Sequence, residues 1–325
     1  MKKIILPILL IVLMGTYCLA AEDDEVAIED EITIEEMEAL SEDSNEEGLA
    51  LAKEGKTEEA IELFKEAIEI DELNLNAYLN LGYVYAWNGR NDEAVATFLE
   101  LIDIVPESIA AYRNLISIYG LQGNNAKVIE YGEKALETNP EDYTIMANLV
   151  GPYINTMEYD KAIGFLDRLI ERNPNRPRLY RLISKAYYGK GDTKKSREAF
   201  EKSYNMIKET TLYDKAPEKT KTVDELFNEM RGDALFEKGG RFLGAGENDK
   251  AVKAFEESIV LTPKDYRPYL VLAKIYAYRA KTEISLSYLT EALTLNPTLA
   301  SDIKDSEDFK PLQDIKEFQD LIANY

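Results

Sequence analysis

The strongest constraint on this chain is a spacing. Pro106, Pro140 and Pro174 follow one another at intervals of 34 residues, and Pro263 and Pro297 are again 34 apart. Self-similarity at a fixed period marks a stacked-repeat architecture and takes precedence over local secondary-structure signals. Positions counted back from each proline agree. Twelve residues before it stand Ala94, Val128, Ala162, Ala251 and Ser285, all small or modest. Eight before stand Phe98, Gly132, Leu166, Phe255 and Leu289, and twenty-one before stand Tyr85, Tyr119, Tyr153, Phe242 and Tyr276, aromatic every time.

The run Tyr78-Leu-Asn-Leu81-Gly82-Tyr-Val-Tyr85, followed by Ala94, Phe98 and Pro106, resembles the tetratricopeptide repeat. It departs from the signature at Tyr78, where the family often has tryptophan. Two degenerate copies complete the series, one from about Ser41 through Gly48, Ala60, Phe64 and Ala67, the other from Pro177 through Tyr180, Ser184, Tyr187, Phe200 and Ser203. The resemblance implies an all-α fold, a right-handed superhelical solenoid of about seven helix hairpins with a C-terminal capping helix. Physically, Leu81, Gly82 and Tyr85 share one face of a first helix, and Ala94 and Phe98 share one face of a second. Small residues let the two backbones approach, Gly89 supplies the turn, and Pro106 stops the second helix. No such hairpin buries its apolar face alone, so the units must stack. The 21 tyrosines are mostly explained by this packing.

The ruler breaks once. From the end of repeat five near Lys208 to Pro263 is 55 residues, one period plus 21. The excess falls on a polar stretch with Pro217, which reads as a loop over 209–222. Val223 onward then reads as a helix entering repeat six through Leu226, Met230, Leu235 and Phe242. The expected order is a leader over 1–21, an acidic spacer over 22–47, repeats one to five over 48–208, the insertion, repeats six and seven over 223–299, and a cap over 300–325.

Composition narrows the chemistry. The chain has 325 residues, 38 Lys and Arg, 61 Asp and Glu, and a net charge of −23. That balance argues against nucleic acid as the partner, because phosphate contacts need a basic surface. There is no histidine and a single cysteine, Cys18. Histidine-dependent nucleophile pairs, histidine metal sites, intramolecular disulfides and thiolate clusters are therefore excluded. There is no phosphate-binding glycine loop either. Gly239, Gly240, Gly244 and Gly246 have no strand before them and read as hairpin packing. No catalytic residue, metal or cofactor is expected.

At the N-terminus, Lys2 and Lys3 precede an apolar run from Ile4 to Met14 that ends in Cys18-Leu-Ala-Ala21, the pattern of a secretory signal. Cleavage after Ala20 or Ala21 fits, an acylated Cys18 is the lipoprotein alternative, and an uncleaved anchor is a third. Each places the body outside the cytoplasmic membrane, in the periplasm or at the envelope surface, with membrane attachment in the last two. Residues 22–47 carry 14 carboxylates and no basic residue. They read as a largely disordered spacer or, alternatively, as an acidic ligand for something basic such as a surface of the same chain, with weak helical spacing from Ile32 to Leu40 that would extend the first repeat.

The candidate binding residues are basic and amide side chains. Residues 161–208 hold 13 Lys and Arg against five acids. Within them Arg178, Arg181 and Lys185 fall on one face of a first helix, at spacings of three and four. Arg113 lies on the corresponding helix of repeat three, and Asn80, Asn114 and Asn148 recur every 34 residues. In the family that this chain resembles, first helices line a concave groove, such asparagines grip an extended peptide, and basic residues hold a carboxylate. The resemblance therefore implies a non-enzymatic protein scaffold binding an acidic or C-terminal segment there. Leu79 and Tyr83 break the full carboxylate-clamp pattern. The alternatives are a structural subunit of an envelope assembly that binds through its convex face or ends, and a groove autoinhibited by the acidic 22–47 segment.

Overall fold

The computed structural model describes residues 32–209 and 221–325, and every regular element in them is helical. The leader over 1–21, the first part of the acidic segment and most of the 209–222 insertion lie outside the described residues. Contacts divide the chain into one compact unit that ends at Val84 and a second that begins at Tyr85.

The first unit contains α1 (Ile34–Lys53), α2 (Thr57–Ile70) and most of α3 (Leu75–Trp87). Helix α1 begins inside the segment expected to be a disordered spacer to residue 47, so that boundary is corrected. Two local causes account for it. Thr33 and Glu36 form a reciprocal capping box, each side chain bonded to the other's backbone amide. Small and polar residues Ser41, Ser44, Asn45 and Gly48 then bury the inner face of α1 against α2. Ser41 Oγ donates to the Ala67 carbonyl at 2.7 Å and accepts from Asn74 Nδ2 at 2.8 Å. The segment is acidic, but the contact face of this helix is almost free of carboxylates.

The second unit continues with α4 (Asn91–Ile104), α5 (Ile109–Leu121), α6 (Asn125–Thr138), α7 (Tyr143–Asn155), α8 (Tyr159–Arg172), α9 (Pro177–Lys190) and α10 (Thr193–Lys208). After the insertion come α11 (Val223–Gly244), α12 (Asn248–Leu261), α13 (Tyr266–Tyr278) and α14 (Thr282–Leu295). The second-helix positions of the ruler form its spine: Ala94, Val128, Ala162, Ala251 and Ser285 are all buried, as are Phe98, Leu166, Phe255 and Leu289. Buried hydroxyls link the two helices of a hairpin through backbone carbonyls. Ser184 bonds Ser196 O, Ser203 bonds Pro177 O, Ser258 bonds Gly232 O and Ser285 bonds Ala273 O, all within 2.9 Å. Ring pairs repeat as well: Tyr119 stacks on Tyr131 and Tyr276 on Tyr288, with centroids 5.6 and 5.8 Å apart.

Each hairpin turn passes through a left-handed residue at the same place in the period. Glycine fills it at Gly55, Gly89, Gly123, Gly191 and Gly246, while Met157 and Ala280 adopt φ of 64° and 53°. Helix α11 is the odd element, with 22 residues where other first helices in this unit have 13 or 14. Its added N-terminal turns, opened by a Thr222–Glu225 capping box, bury Leu226 and Phe227 against Phe200 of α10. The array ends in α15 (Leu299–Lys304), a 3₁₀ turn (Glu307–Leu312) and α16 (Lys316–Ala323). Ala300, Ile303, Phe309, Leu312 and Phe318 cover the apolar face of the last hairpin at Leu289 and Leu293.

Candidate binding site

The asparagines expected to form a ladder have three different environments. Asn80 is half-buried in the first unit, and its Nδ2 donates to Asn45 Oδ1 at 2.9 Å, tying α3 to α1. Asn114 turns back along α5 and donates to the Ala110 carbonyl at 2.8 Å. Asn148 is exposed on α7. Asn45, buried and 35 residues before Asn80, is one residue off the ruler and was not marked by it.

Arg113 projects from α5 and donates through Nη2 to Asp142 Oδ2 at 2.6 Å. Asp142 is buried and also caps α7, accepting from the amides of Thr144 and Ile145 at 3.0 and 3.1 Å. Burial pushes its carboxyl up, but the Ile145 amide, the Arg113 guanidinium and the Thr144 amide outweigh it and hold the group below the usual carboxylate range. Arg113 therefore braces one repeat against the next.

On α9, Arg178 and Arg181 are exposed one turn apart. Lys185, on the same face, is half-buried and donates to Glu237 of α11 at 2.5 Å. The three cations are thus not equivalent. Most other cations of the basic stretch are engaged: Lys161 with Glu133 and Glu158, Lys190 with Asp160, and Arg197 with Glu201 and Asp224. Arg172 lies over the Tyr143 ring and Lys202 over the Tyr180 ring, at 4.3 and 4.5 Å. Among the described residues, no three carboxylates converge in the manner of a metal site.

Comparison with known proteins decides the family. Models of the tetratricopeptide repeat match residues 51–118, 121–186 and 177–210. This is a tetratricopeptide-repeat protein. Repeats six and seven lie beyond the matched residues and belong to the same array by their helices and shared ruler positions. Among solved structures, a tetratricopeptide repeat protein from Parabacteroides merdae is 19% identical, with 88% of this chain and 100% of that chain covered and a TM-score of 0.49. A MamA protein is 24% identical, with 56% and 98% covered and a TM-score of 0.47. A second MamA structure is 25% identical, with 50% and 94% covered and a TM-score of 0.44. No curated protein matches the sequence. Tetratricopeptide arrays are interaction scaffolds, and the chain is read as one.

Proposed function

We propose that this tetratricopeptide protein is an exported, non-enzymatic scaffold of the cell envelope that binds an extended acidic segment of a partner protein along the first-helix face of repeats three to five. The observation that carries the reading is the pair Arg178 and Arg181, two guanidinium groups exposed one turn apart on α9. Asn148 is an exposed amide on α7, the first helix of the preceding repeat. A row of such donors suits the backbone and carboxylates of an extended chain. Export is inferred from the basic, apolar and small-residue order of the first 21 residues.

The test is affinity capture from envelope extract with residues 22–325 as bait, beside an Arg178→Glu, Arg181→Glu variant of unchanged helicity and melting. Lys185 is left intact because its bond to Glu237 joins two repeats. A partner held by the native bait and lost by the variant supports the groove. Identical partners on both overturn it.

One observation favours a second surface. Trp87 and Leu121 close α3 and α5 at the same place in the period, and are 91% and 89% exposed. Large apolar residues so presented suit docking through an edge of the array rather than its groove. The autoinhibitory alternative has a more constrained ligand than an extended segment, since residues 34–47, with half of its carboxylates, are built into α1.

A further inference from the structure

The ruler exposes an anomaly in repeat six. Twenty-five residues before the period's end, the first helices carry Leu81, Leu115, Leu149, Ile183 and Leu272, all buried. Repeat six has Lys238 there. Three residues later, the others carry Val84, Ile118, Pro152, Ala186 and Ile275, and repeat six has Arg241. Two cations therefore occupy the seam positions that apolar side chains fill in the rest of the array.

The seam is open at this point. A cleft of about 370 Å³ lies between α9 and α11, lined among others by Tyr159, Lys185, Tyr188, Lys190, Lys238 and Arg241. Its wall depends on Gly189, where a Cβ would lie 2.3 Å from the Tyr159 ring. Four cations face three carboxylates: Glu237, which takes Lys185 at 2.5 Å, Asp160, which takes Lys190 at 2.5 Å, and Glu257 on the rim. Arg241 is only 19% exposed and its Nη1 stays 3.8 Å from Glu237. Lys238 forms no ion pair among the described residues, and its Nζ rests 5.8 Å from the centre of the Phe242 ring.

Polar satisfaction points the same way. Among the described residues, the buried side-chain polar atoms without a hydrogen-bond partner are Arg231 Nε and Arg241 Nε. Both belong to the stripe of α11 that runs 231, 234, 238, 241 along one face. Arg231 backs the cleft, its guanidinium 5.3 Å from the Tyr188 ring that lines it. A charged donor left unsatisfied inside a fold is costly, and an anion's oxygens would satisfy it.

The geometry points to a binding site for a small multivalent oxyanion, a phosphate- or polycarboxylate-bearing ligand, in the seam between repeats five and six, with Lys238 and Arg241 as its principal contacts. The volume suits a compact ligand. Tyr159, Tyr188 and Thr193 also line the cleft, and Glu237 beside Lys185 and Arg241 offsets part of their charge. The site does not depend on the peptide face, which uses Arg178 and Arg181 instead.

Calorimetric titration of residues 22–325 with inorganic pyrophosphate and, separately, citrate tests this and distinguishes the phosphate from the carboxylate source. Saturable binding of at least one probe is expected. Lys238→Leu with Arg241→Ile gives repeat six the residues of repeat seven, so the variant is expected to fold. It should weaken binding about tenfold or more, while Glu237→Gln should tighten it. A readout without substitution is protection of Lys238 from reductive methylation and of Arg241 from phenylglyoxal, with exposed Arg178 as the control. Absence of saturable binding by both probes, equal affinity in the Leu/Ile variant, or protection spread evenly over the chain would overturn the assignment.

Discussion

Leu149 fills the space that a side chain on Gly132 would need. A Cβ at Gly132 would lie 2.5 Å from Leu149 Cδ2, and Leu149 is fully buried. The period places Phe98, Leu166, Phe255 or Leu289 at this position, so in repeat three the next first helix supplies the missing bulk. Gly132→Ala is expected to destabilise the chain by about 1–3 kcal/mol through overpacking. A double-mutant cycle with Leu149→Ala should show that the two changes couple. Additive losses in denaturant melting would mean that the two residues do not share the space.

The turns at Met157 and Ala280 adopt the left-handed backbone that five glycines adopt elsewhere. A β-carbon costs roughly 1–2 kcal/mol in that conformation. Met157→Gly and Ala280→Gly should therefore each stabilise the chain by up to about 1 kcal/mol, the gain being reduced by the larger backbone entropy of glycine when unfolded. The two sites are far apart in the array, so their effects should add. Thermal melting of the two singles and the double decides it; a loss in both singles would sink the idea.

Asp142 links cap and brace. Folding lowers its pKa, so its stabilising effect is complete above the ordinary carboxylate range and fades as pH falls through the lowered value. The melting-temperature gap between the native chain and Asp142→Asn should thus be largest near neutrality and shrink as pH falls below the ordinary carboxylate range. Arg113→Gln should reduce the gap without abolishing it, because the two backbone bonds to Asp142 remain. A gap that is constant with pH would show that the charge is irrelevant.

The terminal cap has a single keystone. Phe309 is fully buried, stacked on Phe318 with ring centroids 6.0 Å apart. Phe309→Ala should cost the last hairpin about 3–5 kcal/mol. Hydrogen exchange should speed up in α14 to α16 while α5 to α8 keep their protection. Uniform acceleration across the chain would show instead that the array melts as one body.

The repeat architecture was legible because each packing rule recurs. Ala94 or Phe98 alone says little, but the same size and polarity at five equivalent places leave one reading. Left-handed turns at Met157 and Ala280 were not legible, since neither residue favours the conformation and only the neighbours' glycines reveal it. Helix α1 was legible only in part, from weak helical spacing over Ile32 to Leu40 and a repeat start near Ser41, because net charge dominates its composition whereas its buried face consists of serine, asparagine and glycine. The site was readable only as residue types. Sequence marks Arg113 and Lys185 as basic, but their partners Asp142 and Glu237 lie 29 and 52 residues away, on neighbouring repeats. Lys238 and Arg241 could have been found on the ruler itself, as cations in an apolar column.

The added turns of α11 bear on how such an array carries a load. In a stack, free energy resides in the seams between neighbours more than within any one unit. The seam after repeat five is fastened at one edge by Phe200, Leu226 and Phe227, and left polar at the other by Lys185, Lys238 and Arg241. Water can enter from the polar edge without first displacing apolar side chains. Under tension the joint should part from that edge, while the aromatic clasp holds last and lets the seam close again in register. Among the described residues of the second unit, this seam is a place where the array can yield without unravelling the repeats on either side.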